Sequence, residues 1–151
     1  IISSNNAQKK SIWQYRLLIS ESITRRHPIK LDIAVPIKNI SKLVRKLESS
    51  FKDKKAYDLI LFGHIGDGNL HVNILKKTKD LKLDEKTLIE NEVYSIVSSL
   101  NGTFSAEHGI GINKVKTFMD STDIIKIETL KSIKNHFDKN GILNPGKLIK
   151  K

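Results

Sequence analysis

Three of the five histidines fall in two short glycine-rich segments, GHIGDGNLHVN at Gly63–Asn73 and TFSAEHGIG at Thr103–Gly111. Imidazole nitrogens and carboxylate oxygens are ligands for a divalent cation. A catalytic Zn²⁺ takes three protein ligands and keeps one position open, and two His with one Glu is among the known sets. His64, His71 and Glu107 supply that set. In an extended segment His108 points away from its neighbour Glu107, which leaves it as an acid or base close to the metal. Asn73 shares strand parity with His71, so its amide faces the same cavity, and Gly109 and Gly111 let the backbone turn sharply beside a ligand.

This chemistry needs a particular support. On a continuous strand, His64 and His71 would point to opposite faces, because side chains alternate with period two. A tight turn through Gly66, Asp67 and Gly68 removes that obstacle: the apolar run Leu59–Phe62 and the run Leu70–Leu75 become two strands of a hairpin, with both imidazoles at its mouth. Around the hairpin the pattern predicts a helix over about 11–27, with Ile12, Tyr15, Ile19 and Ile23 as its apolar face and Pro28 as its stop. A strand over Lys30–Pro36 follows, placing Leu31, Ile33 and Val35 on one side and Asp32 and Ala34 on the other. Ile40, Leu43, Val44, Leu47 and Phe51 mark a second helix. Asp84 is expected to cap a third, buried through Ile89, Val93, Ile96, Val97 and Leu100. After a short extended stretch at Thr103–Ser105, a last helix over about 122–139 is expected to pack through Ile127, Leu130, Ile133 and Phe137. Gly141 stops it, and Asn144, Pro145 and Gly146 form a turn. Helices alternating with a few strands predict an α+β fold: an antiparallel or mixed sheet, helices mainly on one face, ferredoxin-like in topology.

The 151 residues, 38% hydrophobic and 28% charged, suit one domain over 1–151. The formal charge of +11 is scattered over helices and loops alike, and few aromatics are available for stacking, so nucleic-acid binding is not expected. The absence of Cys excludes thiolate metal sites and Cys nucleophiles. Neither a GxGxxG turn between strand and helix nor a P-loop Lys is present. No apolar run suits a membrane span and no secretion signal leads the chain, so the expected location is the cytoplasm. The first residue, Ile1 rather than Met, suggests a piece of a longer protein. His27 and His136 lie outside the two segments and are read as surface residues; from spacing alone Arg16 is an ordinary exposed charge.

GHIGDGNLHVNI, GTFSAEHGIGINK and GILNPGK, preceded by WQYRLLISESI and KLDIAVP, resemble the C-terminal domain of FAD-linked 2-hydroxy-acid dehydrogenases and oxidases, which act on acids such as 2-hydroxyglutarate, lactate or glycolate. The resemblance runs from Trp13 to Lys147 in one order. It implies that His64, His71 and Glu107 hold a divalent metal, usually zinc, and that His108 accepts the substrate's hydroxyl proton as hydride leaves for the flavin. It further implies that Arg16, Ser20, Lys30 and Asn73 bind the small 2-hydroxy acid, with Ser20 standing where Thr is common, and that Asn144 approaches the FAD. The cofactor itself would be held mainly by an N-terminal FAD-binding domain outside these residues, in the parent enzyme or on a separate chain, so this piece alone is expected to be inactive. Its uncovered site face is expected to be apolar or glycine-rich and to favour homo-oligomers. The competing reading is a non-catalytic surviving fragment that binds a metabolite or a partner.

Overall fold

The computed structural model describes residues 2–78 and 83–149. They fall into two compact units, Ile1–Ala106 and Glu107–Lys151. The first contains α1 (Asn6–Thr24), β1 (Ile29–Ala34), α2 (Ile40–Phe51), β2 (Tyr57–His64), β3 (Asn69–Lys76) and α3 (Leu83–Ser98). Its three strands form an antiparallel sheet in the order β1-β3-β2. Thr103 adds a single antiparallel bridge to Ala34 on the outer edge of β1. This βαββα order is that of a ferredoxin-like sheet whose fourth strand has shrunk to one bridge.

The sheet is two-sided because its sequence alternates. Ile29, Leu31 and Ile33 of β1, Leu70, Val72 and Ile74 of β3, and Leu59 and Leu61 of β2 share one face. They pack on Leu43, Leu47 and Phe51 of α2 and on Ile89, Val93 and Val97 of α3, forming the main core. The two helices are also tied to each other by Glu92 of α3, whose carboxylate accepts from Ser50 and Lys54.

α1 starts earlier than its apolar spacing predicts, because the Asn5 side chain accepts from the Gln8 N–H and nucleates a polar first turn. It ends at Thr24, before His27 with its φ of 48°. Of its expected face only Ile23 is buried; Ile12, Trp13, Tyr15, Leu17 and Leu18 are exposed. α3 begins at Leu83, so Asp84 sits inside the first turn rather than ahead of it.

The second unit contains α4 (Val115–Ser121) and α5 (Ile124–Phe137). α4 is too short to show a helical period, and the sequence reading passes over it. α5 begins two residues later than expected: Asp123 caps it, accepting from the Ile125 N–H at 2.8 Å. Ile127 is buried, whereas Ile133 and Phe137 are exposed. Past α5 the buried Asp138 accepts from Lys134 and from the Leu143 and Ile142 N–H groups, and these contacts, the Lys134 ammonium foremost, lower its carboxyl pKa from its ordinary value.

Candidate metal and substrate site

The sheet face opposite the main core carries the chemistry. Across it, Lys30, Asn73 and Ile60 stand in one row, Asp32, His71 and Phe62 in the next, and Ala34, Asn69 and His64 in the third. Alternation along each strand therefore delivers Lys30, Asn73, Asp32, His71, Asn69 and His64 to one side. Of these, Asp32, Asn69 and Asn73 are buried.

His64 closes β2, and a single 3₁₀ turn at Ile65–Asp67 leads to Gly68 and back into β3. Gly68 has φ 68°, a left-handed conformation open to glycine, and its N–H donates to the Ile65 carbonyl at 3.2 Å. The return places His64 diagonally across from His71, with ring centroids 5.6 Å apart and planes at 86°. The hairpin expected from the glycine cluster is present, and it brings the two imidazoles together. Phe62 lies 5.3 Å from His71. On the other side, Asp32 Oδ1 is 3.5 Å from His71 Nδ1. Two imidazoles edge to face on a rigid hairpin, one backed by a carboxylate, are a donor set suited to a divalent cation of borderline softness.

The substrate-binding candidates are placed as follows. Asn73 lies on this face with its Nδ2 donating to the His71 carbonyl at 3.4 Å. Lys30 Nζ donates to Thr24 Oγ1 at 2.6 Å, and Thr24 Oγ1 donates to the Ser20 carbonyl at 2.5 Å, so the β1 cation is linked to the C-terminal turn of α1. Arg16 lies one turn before Ser20 on the same helix face, and both are exposed. A groove of about 520 Å³ separates α1 from β2, walled by Tyr15, Leu18, Ile19, Ile60 and Phe62.

Ala106 ends the first unit with its N–H on the carbonyl of Asp32, the residue paired with His71. Glu107 and His108 then open the second unit as consecutive exposed residues, ahead of Gly109 and Gly111 at φ 70° and 56°. Also in the second unit, Asn144 adopts φ 45° and accepts from Lys147 Nζ at 3.1 Å. It borders a cavity of about 760 Å³ together with Lys131, Lys134 and Pro145. His27 and His136 are exposed, as expected of surface residues. Sequence reasoning passed over Asp32, Asn69 and Phe62 as parts of the site face. The parity of Asp32 with Lys30, and of Phe62 with His64, was the signal that would have found two of them.

Comparison with known proteins places the chain in a family. The family model described as "FAD linked oxidases, C-terminal domain" matches residues 1–148. The chain belongs to this family. A D-2-hydroxyglutarate dehydrogenase of Stutzerimonas stutzeri (strain A1501) is 36% identical over 152 residues, covering 98% of this chain and 33% of the relative. The mitochondrial D-2-hydroxyglutarate dehydrogenase of Danio rerio is 34% identical over 149 residues, covering 98% and 27%. That of Arabidopsis thaliana is 34% identical over 150 residues, covering 99% and 26%. This FAD linked oxidase domain therefore spans a third or less of the length of these relatives. Among the described residues no helix is long and apolar enough to cross a membrane.

Proposed function

We propose that the chain is the substrate- and metal-binding part of an FAD-dependent dehydrogenase that oxidises a D-2-hydroxy acid, of the 2-hydroxyglutarate, lactate or glycolate class, to the 2-oxo acid. The observation that carries this reading is the sharing of one sheet face by Lys30, Asn73, His71 and His64. An ammonium, an amide and two imidazoles are together the complement of a carboxylate, a hydroxyl and a cation.

In this reading His64, His71 and Glu107 hold the metal, zinc by its donor set. Glu107 enters as the third ligand because a carboxylate completes the two-His, one-Glu donor set. A bound divalent cation lowers the pKa of a coordinated hydroxyl. A flavin, held by a partner FAD-binding domain, would supply the hydride acceptor. The chain's own residues do the rest. Lys30 and the planar fork of Arg16 bind carboxylate oxygens and fix the orientation of the acid. The Ser20 hydroxyl and the Asn73 amide add hydrogen bonds, and Asn73 is buried, so its bonds are made away from competing water. His108 takes the hydroxyl proton as the C–H bond breaks, and the carbon is left as a carbonyl. Ile60 and Phe62 close the β2 end of these two rows with apolar side chains. Asn144 is assigned to the flavin side, and an FAD-binding domain is the partner.

The test is calorimetric titration of D-2-hydroxyglutarate, D-lactate and glycolate into the Zn²⁺-loaded chain. One of these acids is expected to bind, with affinity lost in Lys30→Ala and Asn73→Ala, and the chain alone is expected to give no turnover with a dye acceptor. Equal binding by the parent and both variants would overturn the assignment.

A further inference from the structure

We propose that Asp32 is a positioning residue for His71, its buried carboxylate fixing the imidazole so that Nε2 is the nitrogen presented to the cation. The inference deepens the metal-site reading above and rests on it. Asp32 stands directly opposite His71 in the β1–β3 register, on the site face. Its Oδ1 is 3.5 Å from His71 Nδ1, and its side chain is 4% exposed against 19% for the imidazole.

A carboxylate at that depth is costly unless it is compensated, and Asp is among the residue types least often fully buried. Nothing about the strand requires it. An outward-facing position on β1 would accept Thr or Val with better strand propensity. Across the ladder, this carboxylate faces an imidazole nitrogen. The ring of His71 is bounded on three sides: Phe62 at 5.3 Å from the neighbouring strand, His64 edge-on at 5.6 Å, and Asp32 against Nδ1. The two nitrogens of a metal-binding imidazole are distinct, and a carboxylate on one fixes both the tautomer and the ring orientation offered by the other.

The main chain of the same residue has a separate task. The Asp32 carbonyl accepts from the Ala106 N–H at 3.3 Å, one residue before Glu107. A side-chain substitution leaves that bond in place, so Asp32→Asn isolates the carboxylate from the backbone tether.

The experiment measures Zn²⁺ affinity by chelator competition for the parent chain, Asp32→Asn, Asp32→Glu and the double variant His64→Ala/His71→Ala, together with the thermal midpoint of each metal-free protein. Asp32→Asn is expected to weaken Zn²⁺ binding by about 10- to 100-fold, as loss of such an outer carboxylate does, with the metal-free midpoint kept. Asp32→Glu restores part of the affinity. Unchanged affinity in Asp32→Asn, with or without a lowered midpoint, would overturn the proposal by showing a merely structural group. Nitrogen NMR of His71 in the metal-free parent gives a reading that needs no variant: the Nδ1–H tautomer is expected, and the Nε2–H tautomer would overturn it. If the parent binds Zn²⁺ no better than the double histidine variant, the metal-site reading itself fails, an outcome distinct from parent binding that survives loss of the Asp32 carboxylate.

Discussion

Replacing Gly68 with Ala tests how the hairpin aligns its histidines. A Cβ at Gly68 would lie 2.1 Å from the Val35 carbonyl oxygen and 3.3 Å from its carbon, both backbone atoms of the segment leaving β1. Neither can rotate aside, and the Gly68 carbonyl is itself held by the Val35 N–H at 3.0 Å. The residue also has φ 68°, which costs a non-glycine residue about 1 kcal/mol. Forced overpacking adds about 1–3 kcal/mol, giving roughly 2–4 kcal/mol in all. At about 2–4 °C per kcal/mol for a chain of this size, Tm should fall by roughly 4–16 °C. Gly66→Ala, two residues away in the same turn, is the control: its Cβ meets nothing within 4 Å, so a change within about ±0.5 kcal/mol is expected. Thermal melts followed by far-ultraviolet circular dichroism compare the two. Equal midpoints for both variants would refute the reasoning that a side chain at Gly68 collides with the Val35 backbone.

Other expectations follow from the same framework. Ile74, fully buried on the central strand, should cost about 2–5 kcal/mol on truncation to Ala, read from the shift in denaturation midpoint. Burial pushes the Glu92 carboxyl up, but the bonds from Lys54 and Ser50 outweigh it, and the net pKa lies below the ordinary 4.5. The stability this group contributes is therefore present above its unfolded value and lost as pH falls through the folded one, so Glu92→Gln should flatten the acid limb of the stability profile. Tyr57 is pushed up to about 12 by burial and then by its bond to Glu85. A raised folded pKa contributes stability below the unfolded value of 10.0 that disappears as pH rises toward 12, so Tyr57→Phe should lose less stability than the parent over that interval in alkaline denaturation.

Much of the site face was legible because strand parity is local. Once Gly66, Asp67 and Gly68 were read as a turn, His71 and Asn73 had to share a side, and the mouth of the hairpin brought in His64. Asp32 was read only as the polar side of its strand; that it stands opposite His71 depends on the β1–β3 register, which joins segments nearly forty residues apart and leaves no trace in either. α1 shows the other limit. Its spacing matched a helix well, yet Ile12, Tyr15 and Ile19 are exposed along with Trp13 and Leu17, since period alone does not say what covers a face. α4 was passed over because seven residues span barely two turns. The bounds of α5 moved with its cap: Asp123, not the apolar period, decides where the helix begins.

The central claim, that His64 and His71 share one cation with Glu107, is met most directly by Zn K-edge absorption spectroscopy of the chain loaded with one equivalent of Zn²⁺. The account predicts two imidazole nitrogens and a carboxylate oxygen at about 2.0–2.2 Å, with one imidazole lost in His64→Ala and the carboxylate lost in Glu107→Ala. A first shell of light scatterers without imidazole features, unchanged in both variants, would contradict it.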